Sequence, residues 1–327
     1  MAKKKTPILK KVSLFIITTL VVIFLLEILL RSTYSLYSNY NTEMWRYSSE
    51  LKQKSSYPGL GHEHVPNKTS FLYGVEIKTN SLGLRANKEY KIPKPRGIKR
   101  ILILGDSITM GWGVEYNNTY PKVLETLLNK NTNQTYEVIN TGVGNYNAIN
   151  ELATLKKLLK LEPDMVILGF YINDIEEIYY CSEIVCWLER NSYLYAFVYD
   201  KIIKLKYRGE TNYKNYYLNL YKDEKLRNNL KRTLNQMIQI ANNNSIYFIF
   251  VNIPEFHEFK NYPFEEVDQF IEREIINNST ITYINLLPKF KNETLENIWV
   301  SYEDPHPNAK GHRIIANSIF QKIINLV

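Results

Sequence analysis

From Arg100 onward the chain alternates short apolar runs with longer amphipathic stretches, and this rhythm limits the fold more than any other feature. The runs are Arg100–Leu104, Glu137–Asn140, Met165–Phe170, Ile246–Val251 and Ile281–Leu286. They are too short for helices and mostly lack in-out alternation, which suits strands covered on both faces. Helix-period segments fall between them, near residues 119–130, 147–160, 222–243, 264–277 and 309–325. Such βα units build a parallel sheet between helical layers. Five strands and five helices make one doubly wound domain. Residues 175–221 break the rhythm and are crowded with tyrosines, so an insertion is expected there, near the sheet's edge or mouth. Composition agrees with a globular core: 45% of the 327 residues are hydrophobic and 23% charged, which excludes disordered and collagen-like chains. Cys181 and Cys186 are too few for a disulfide framework or most cysteine metal sites. Outside the cytoplasm they can pair with each other or stay as free thiols.

The N-terminus sets the compartment. Val12–Leu30 is broken only by Ser13, Thr18, Thr19 and Glu27. As a helix it spans roughly 28 Å at ~1.5 Å per residue, the thickness of a hydrocarbon core. A net charge of +8 suggests nucleic acid at first, but five of those charges are Lys3, Lys4, Lys5, Lys10 and Lys11, which leaves +3 for the rest. Nucleic acid is therefore not an expected partner. A basic flank on the N-terminal side favours a cytoplasmic N-terminus. No small-residue cleavage site stands around Ser32–Ser35, so the segment reads as an uncleaved anchor rather than a signal peptide. Glu27 lies one turn before Arg31, where a carboxylate can pair or reach the outer interface. Residues 32–70 read as a Tyr-rich spacer with little periodicity that partly packs on the domain, and Lys91–Arg100, with Pro93 and Pro95, as a linker.

In an open α/β sheet the ligand site lies beyond the carboxyl ends of the strands. Gly105-Asp106-Ser107 follows the first run, a serine on a tight strand-to-helix turn whose own N–H can face an oxyanion. The loop Asn140-Thr-Gly142-Val-Gly144-Asn145-Tyr146 follows the second and can aim another N–H at the same place. Asn173-Asp174 follows the third and offers an amide donor. Asp304-Pro-His306-Pro307, before the last helix, supplies an imidazole and a carboxylate. Nucleophile, base, orienter and oxyanion donors complete the set needed for acyl transfer.

These blocks resemble the SGNH (GDSL-type) esterase and acyltransferase superfamily. Ile101-Leu-Ile-Leu-Gly-Asp-Ser-Ile-Thr-Met-Gly-Trp-Gly-Val114 is similar to its first block, and Val138–Asn147 to its second. Glu162–Asp174 resembles the third and Asp304–His312 the last; the likeness covers roughly Asn80 to the C-terminus. There are three departures. Tyr171 stands where the third block has glycine. Asn145 occupies the column of the oxyanion glycine, with Gly144 one residue earlier; asparagine tolerates left-handed backbone. Glu303 holds the usual place of the acid three residues before the histidine, with Asp304 at minus two; Asp304 is favoured, Glu303 the alternative. The resemblance implies catalysis by Ser107, His306 and Asp304, an oxyanion hole of Ser107, Gly144 or Asn145, and Asn173, and neither metal nor cofactor.

Other residues read as structural. His62-Glu-His64 suits solvated histidines better than a metal pair, His312 a packing or capping role, and His257 either packing or a place in the cleft. Asp106 and Asp174 read as turn-bonding carboxylates. Trp112 and the tyrosines at 179–221 suit packing better than a sugar-stacking wall. The expected architecture is a three-layer, flavodoxin-like α/β sandwich with a five-stranded parallel sheet, preceded by one transmembrane helix. Its parts are a basic cytoplasmic tail (1–11), the anchor (12–31), a spacer and N-terminal extension (32–95) and the hydrolase domain (96–327) with its insertion at about 175–221. The expected function is a single-pass, extracytoplasmic serine esterase acting on O-acyl, foremost O-acetyl, esters of cell-surface polysaccharide. An O-acyltransferase using the same serine is the first alternative, and a catalytically silent glycan-binding module the second.

Overall fold

A computed structural model describes residues 8–33, 40–178, 182–206, 210–276 and 281–324. The N-terminal apolar run is one helix, α1 (Ile8–Thr33), without a buried residue. It is long and apolar enough to be a membrane span or a signal sequence. Helix α2 (Tyr40–Glu50) follows, and then two antiparallel ribbons, β1 (Lys52–Lys54) with β2 (His62–His64) and β3 (Thr69–Leu72) with β4 (Val75–Lys78). The stretch expected to be a spacer is therefore largely structured. Its strands are only three or four residues long and mix polar with apolar side chains, so periodicity does not reveal them.

The main sheet comprises β5 (Ile98–Leu104), β6 (Thr135–Asn140), β7 (Met165–Phe170), β8 (Tyr247–Asn252) and β9 (Thr282–Asn285). Its order is β6-β5-β7-β8-β9, every neighbouring pair parallel. This is the flavodoxin-like order, and the chain reverses direction across the sheet after β6. Right-handed crossovers then place helices on both faces. Helix α4 (Tyr120–Asn131), which follows the short α3 (Ser107–Met110), packs with the C-terminal α12 (Ala309–Ile323). Helix α5 (Ala148–Leu158) packs with α9 (Glu224–Asn243). Every residue of β7 is buried, which explains its unbroken apolar sequence. Two short helices, α10 (Glu265–Ile271) and α11 (Leu287–Phe290), follow β8 and β9, and a further ribbon, β10 (Trp299–Ser301) with β11 (Asp304–Pro307), precedes α12.

The chain divides into two compact units. The larger holds both N-terminal ribbons and the sheet with its helices. The smaller holds α1, α2 through Ser49, and two helices from the expected insertion, α6 (Glu183–Asn191) and α7 (Tyr193–Lys206). The third insertion helix, α8 (Glu210–Lys222), belongs to the larger unit and packs on α9. There Tyr221 donates to the Ile172 carbonyl at 3.1 Å. The insertion thus serves two bodies. Cys186 on α6 is disulfide-bonded; Cys181 and the lysines at 3–5 lie outside the described residues.

Candidate active site

The site lies where strand order reverses, at the carboxyl ends of β5 and β7. Gly105 follows β5 with φ +155°, and a Cβ there would sit 2.0 Å from Thr109 Oγ1, so only glycine makes this turn. Asp106 caps α3 by accepting from the Ile108 N–H at 2.8 Å. Ser107 is thereby placed half-buried at the helix's first position. Opposite it, a Cβ on Gly142 would meet Met110 N at 2.2 Å, so the second-block loop approaches as closely as backbones allow.

Ser107 Oγ lies 2.9 Å from His306 Nε2. His306 Nδ1 lies 2.5 Å from Asp304 Oδ1, which also accepts the His306 backbone N–H at 3.1 Å. Asp304 is fully buried, and its other oxygen accepts from the Trp112 indole at 2.9 Å. The carboxylate fixes the Nδ1–H tautomer and leaves Nε2 to accept from the serine hydroxyl. Extended backbone explains the unusual spacing. On β11, residues 304 and 306 share a face, whereas Glu303 is exposed. Trp112, read from sequence as packing, is buried, stacked on Tyr73 with ring centroids 5.6 Å apart, and is a donor to the acid. Its loop is held by Arg85, buried and donating to Met110, Gly111 and Val114 carbonyls at 2.9, 2.6 and 2.6 Å. Sequence reasoning missed Arg85; no motif marks it.

On the other side of the serine, Asn145 has φ +67° and an exposed side chain that accepts from Lys52 Nζ at 2.9 Å. Asn173 Nδ2 donates to Asp106 Oδ2 at 3.2 Å and to the Tyr146 carbonyl at 3.3 Å. The histidines read as solvated are not. His62 Nε2 lies 3.0 Å from the Gly144 carbonyl, and the Tyr146 hydroxyl donates to the His62 carbonyl at 2.9 Å. His64 is buried, which pushes its pKa down to about 3. Ribbon β1–β2 thus clamps the second-block loop.

Burial raises the pKa of Asp106 and, well above the usual range, those of Glu151 and Asp174, and each of the latter two rises further in the field of its neighbouring acids. His312, fully buried, accepts from the first N–H of α4 (Tyr120) at 3.0 Å, and burial drops its pKa to about 3. His257 pairs through Nδ1 with buried Glu255 and meets the Tyr213 ring at 5.0 Å.

The model of the GDSL-like lipase/acylhydrolase family matches residues 103–314. The chain belongs to this family. As a GDSL-like hydrolase it is an ester hydrolase with a five-stranded parallel α/β fold. No curated protein sequence matches it. Among solved structures this GDSL-like hydrolase is similar to TesA (14% identity, 70% of this chain and 100% of that one, TM-score 0.48). It is also similar to the lipase Lip_vut3 from a goat rumen metagenome (14%, 68% and 97%, 0.47) and to the acetyl xylan esterase AlAXEase (18%, 68% and 98%, 0.45).

Proposed function

We propose that this hydrolase is a membrane-anchored, extracytoplasmic serine esterase that removes O-acyl groups, foremost O-acetyl, from cell-surface glycans. The observation that carries the chemistry is the unbroken relay Ser107–His306–Asp304, with separations of 2.9 and 2.5 Å. His306 takes the Ser107 proton as Oγ attacks the ester carbonyl, and Asp304 stabilises the imidazolium. The N–H groups of Ser107 and of Gly144 or Asn145 hold the oxyanion, joined by the Asn173 Nδ2–H that leaves the Tyr146 carbonyl, the longer of its two contacts at 3.3 Å. The imidazolium returns its proton to the leaving alcohol. Water, deprotonated by His306, then resolves the acyl-serine. His62 supports this reading: a trans peptide points its C=O and N–H in opposite directions, so holding the Gly144 oxygen orients the Asn145 N–H.

Anchoring is supported by the length and exposure of α1, and its orientation by the lysines before it. A hydrolase tethered outside the cytoplasm meets surface polymers first, which favours glycan esters over free metabolites. Full-length protein in detergent should hydrolyse p-nitrophenyl acetate, and Ser107→Ala should abolish turnover and labelling by a fluorophosphonate. Asn173→Ala should cost about 10² to 10³ in rate. Full activity in Ser107→Ala would overturn the assignment. Acetate released from an O-acetylated glycan supports hydrolysis, whereas acetyl appearing on an added sugar acceptor identifies a transferase.

A further inference from the structure

The elbow between α6 and α7 is built on the anchor. Glu27 accepts from the N–H groups of Tyr193 (2.8 Å) and Leu194 (2.9 Å) and from the Ser192 hydroxyl (3.0 Å). A carboxylate near the end of an apolar helix therefore caps a second helix. Arg31 pairs with Glu27 at 2.6 Å and donates to the Asn191 carbonyl. Helix α2 braces the same elbow: Thr42 Oγ1 lies 3.1 Å from the Tyr193 hydroxyl, and Trp45 meets the Tyr193 ring edge-on at 5.0 Å.

Glu27 and Arg31 stand where the apolar run Val12–Leu30 ends, so the elbow is fixed at the depth where a bilayer gives way to headgroups. From that level both helices present uncovered apolar side chains. Ile184 is 73% and Trp187 62% exposed, one turn apart on α6, and Phe197, Val198 and Ile202 on α7 are also exposed. Lys201 lies over the Phe197 ring, its ammonium 5.1 Å from the centroid. Tryptophan beside aliphatic residues, with lysine among them, is the composition of segments that lie in a membrane interface.

We propose that α6 and α7 form an interfacial foot, seated in the headgroup layer of the bilayer that α1 crosses, with Ile184, Trp187, Phe197, Val198 and Ile202 at the acyl boundary. The occupant is lipid because the face continues from the span itself and begins at its end. This inference rests on the reading of α1 as a membrane anchor. Glu27 gains a purpose from it: the carboxylate joins foot to anchor.

The test uses the full chain in phosphatidylcholine vesicles, with an environment-sensitive NBD fluorophore on Phe197→Cys or Ile202→Cys. Val22→Cys serves as the anchor control and Tyr302→Cys, 86% exposed, as the aqueous reference. Retained p-nitrophenyl acetate turnover selects folded variants. The expected result is blue-shifted emission at 197 and 202, quenched by shallow doxyl lipid, with deep quenching at 22 and none at 302. Quenching at 22 without quenching at 197 or 202 overturns the foot and leaves the anchor intact. No quenching at 22 overturns the anchor and the foot with it. A blue shift at 197 that disappears on dilution with lipid identifies a second copy as the occupant and likewise overturns the proposal.

Discussion

Asn145 stands in left-handed backbone, its side chain tied to Lys52 and the carbonyl before it tied to His62. If its N–H serves the oxyanion, the requirement is on φ and not on the side chain. Asn145→Gly should keep most of the p-nitrophenyl acetate turnover. Asn145→Val should lose it, because a β-branched residue pays roughly 1–2 kcal/mol or more for this conformation. Releasing the Gly144 carbonyl with His62→Ala should lower kcat about 10-fold, the effect of one hydrogen bond of about 1.4 kcal/mol, with KM little changed. An equal loss in KM would assign His62 to substrate binding instead. Ser107, Asn173 and His306 are legible in the sequence because each follows a βα signal at a fixed place. The choice between Glu303 and Asp304 is not, since it depends on β11 being extended. The role of His62, and Arg85 altogether, escape a sequence reading because their partners are carbonyls some 80 and 26 residues away, and any residue carries a carbonyl.

Helix α5 brings a buried acid to the back of the site. Glu151, in its first turn, is 1% exposed, and neither carboxylate oxygen has a hydrogen-bond partner among the described residues. Desolvation, then the field of Asp106, holds its pKa well above 4.5. The folded state therefore keeps a proton that the unfolded state has lost, and wild-type stability falls as pH rises above about 4.5. Glu151→Gln removes the ionisable group at nearly constant shape. It should leave stability close to unchanged near pH 4 and gain up to ~1.4 kcal/mol per pH unit above that, until the folded pKa is passed. Tm measured from pH 4 to 8 checks this; a constant offset between the two proteins would show that burial does not act on ionisation. The three inner strands, β5, β7 and β8, are legible because burial on both faces leaves a continuous apolar run. Strand β1, reading Lys52-Gln53-Lys54, carries no such mark, since only its pairing with β2 makes it a strand.

At the scale of the whole molecule, charge and compartment are linked. Among the 41 basic residues, only five precede the apolar run, and they set the proposed topology because positive charge close to a span resists translocation. The disulfide at Cys186 agrees with an oxidising compartment for the insertion. The full chain fused at its C-terminus to a phosphatase that folds only outside the cytoplasm should therefore be active, and the same fusion to green fluorescent protein exported unfolded should be dark. Changing Lys3, Lys4, Lys5, Lys10 and Lys11 together to Gln should move part of the population to the opposite orientation, because Arg31 then becomes the basic residue nearest the span and draws its C-terminal side inward. Phosphatase activity should fall and fluorescence rise in the same cells. If both reporters stay at their wild-type levels, the five lysines do not determine orientation, and the excess charge needs another partner.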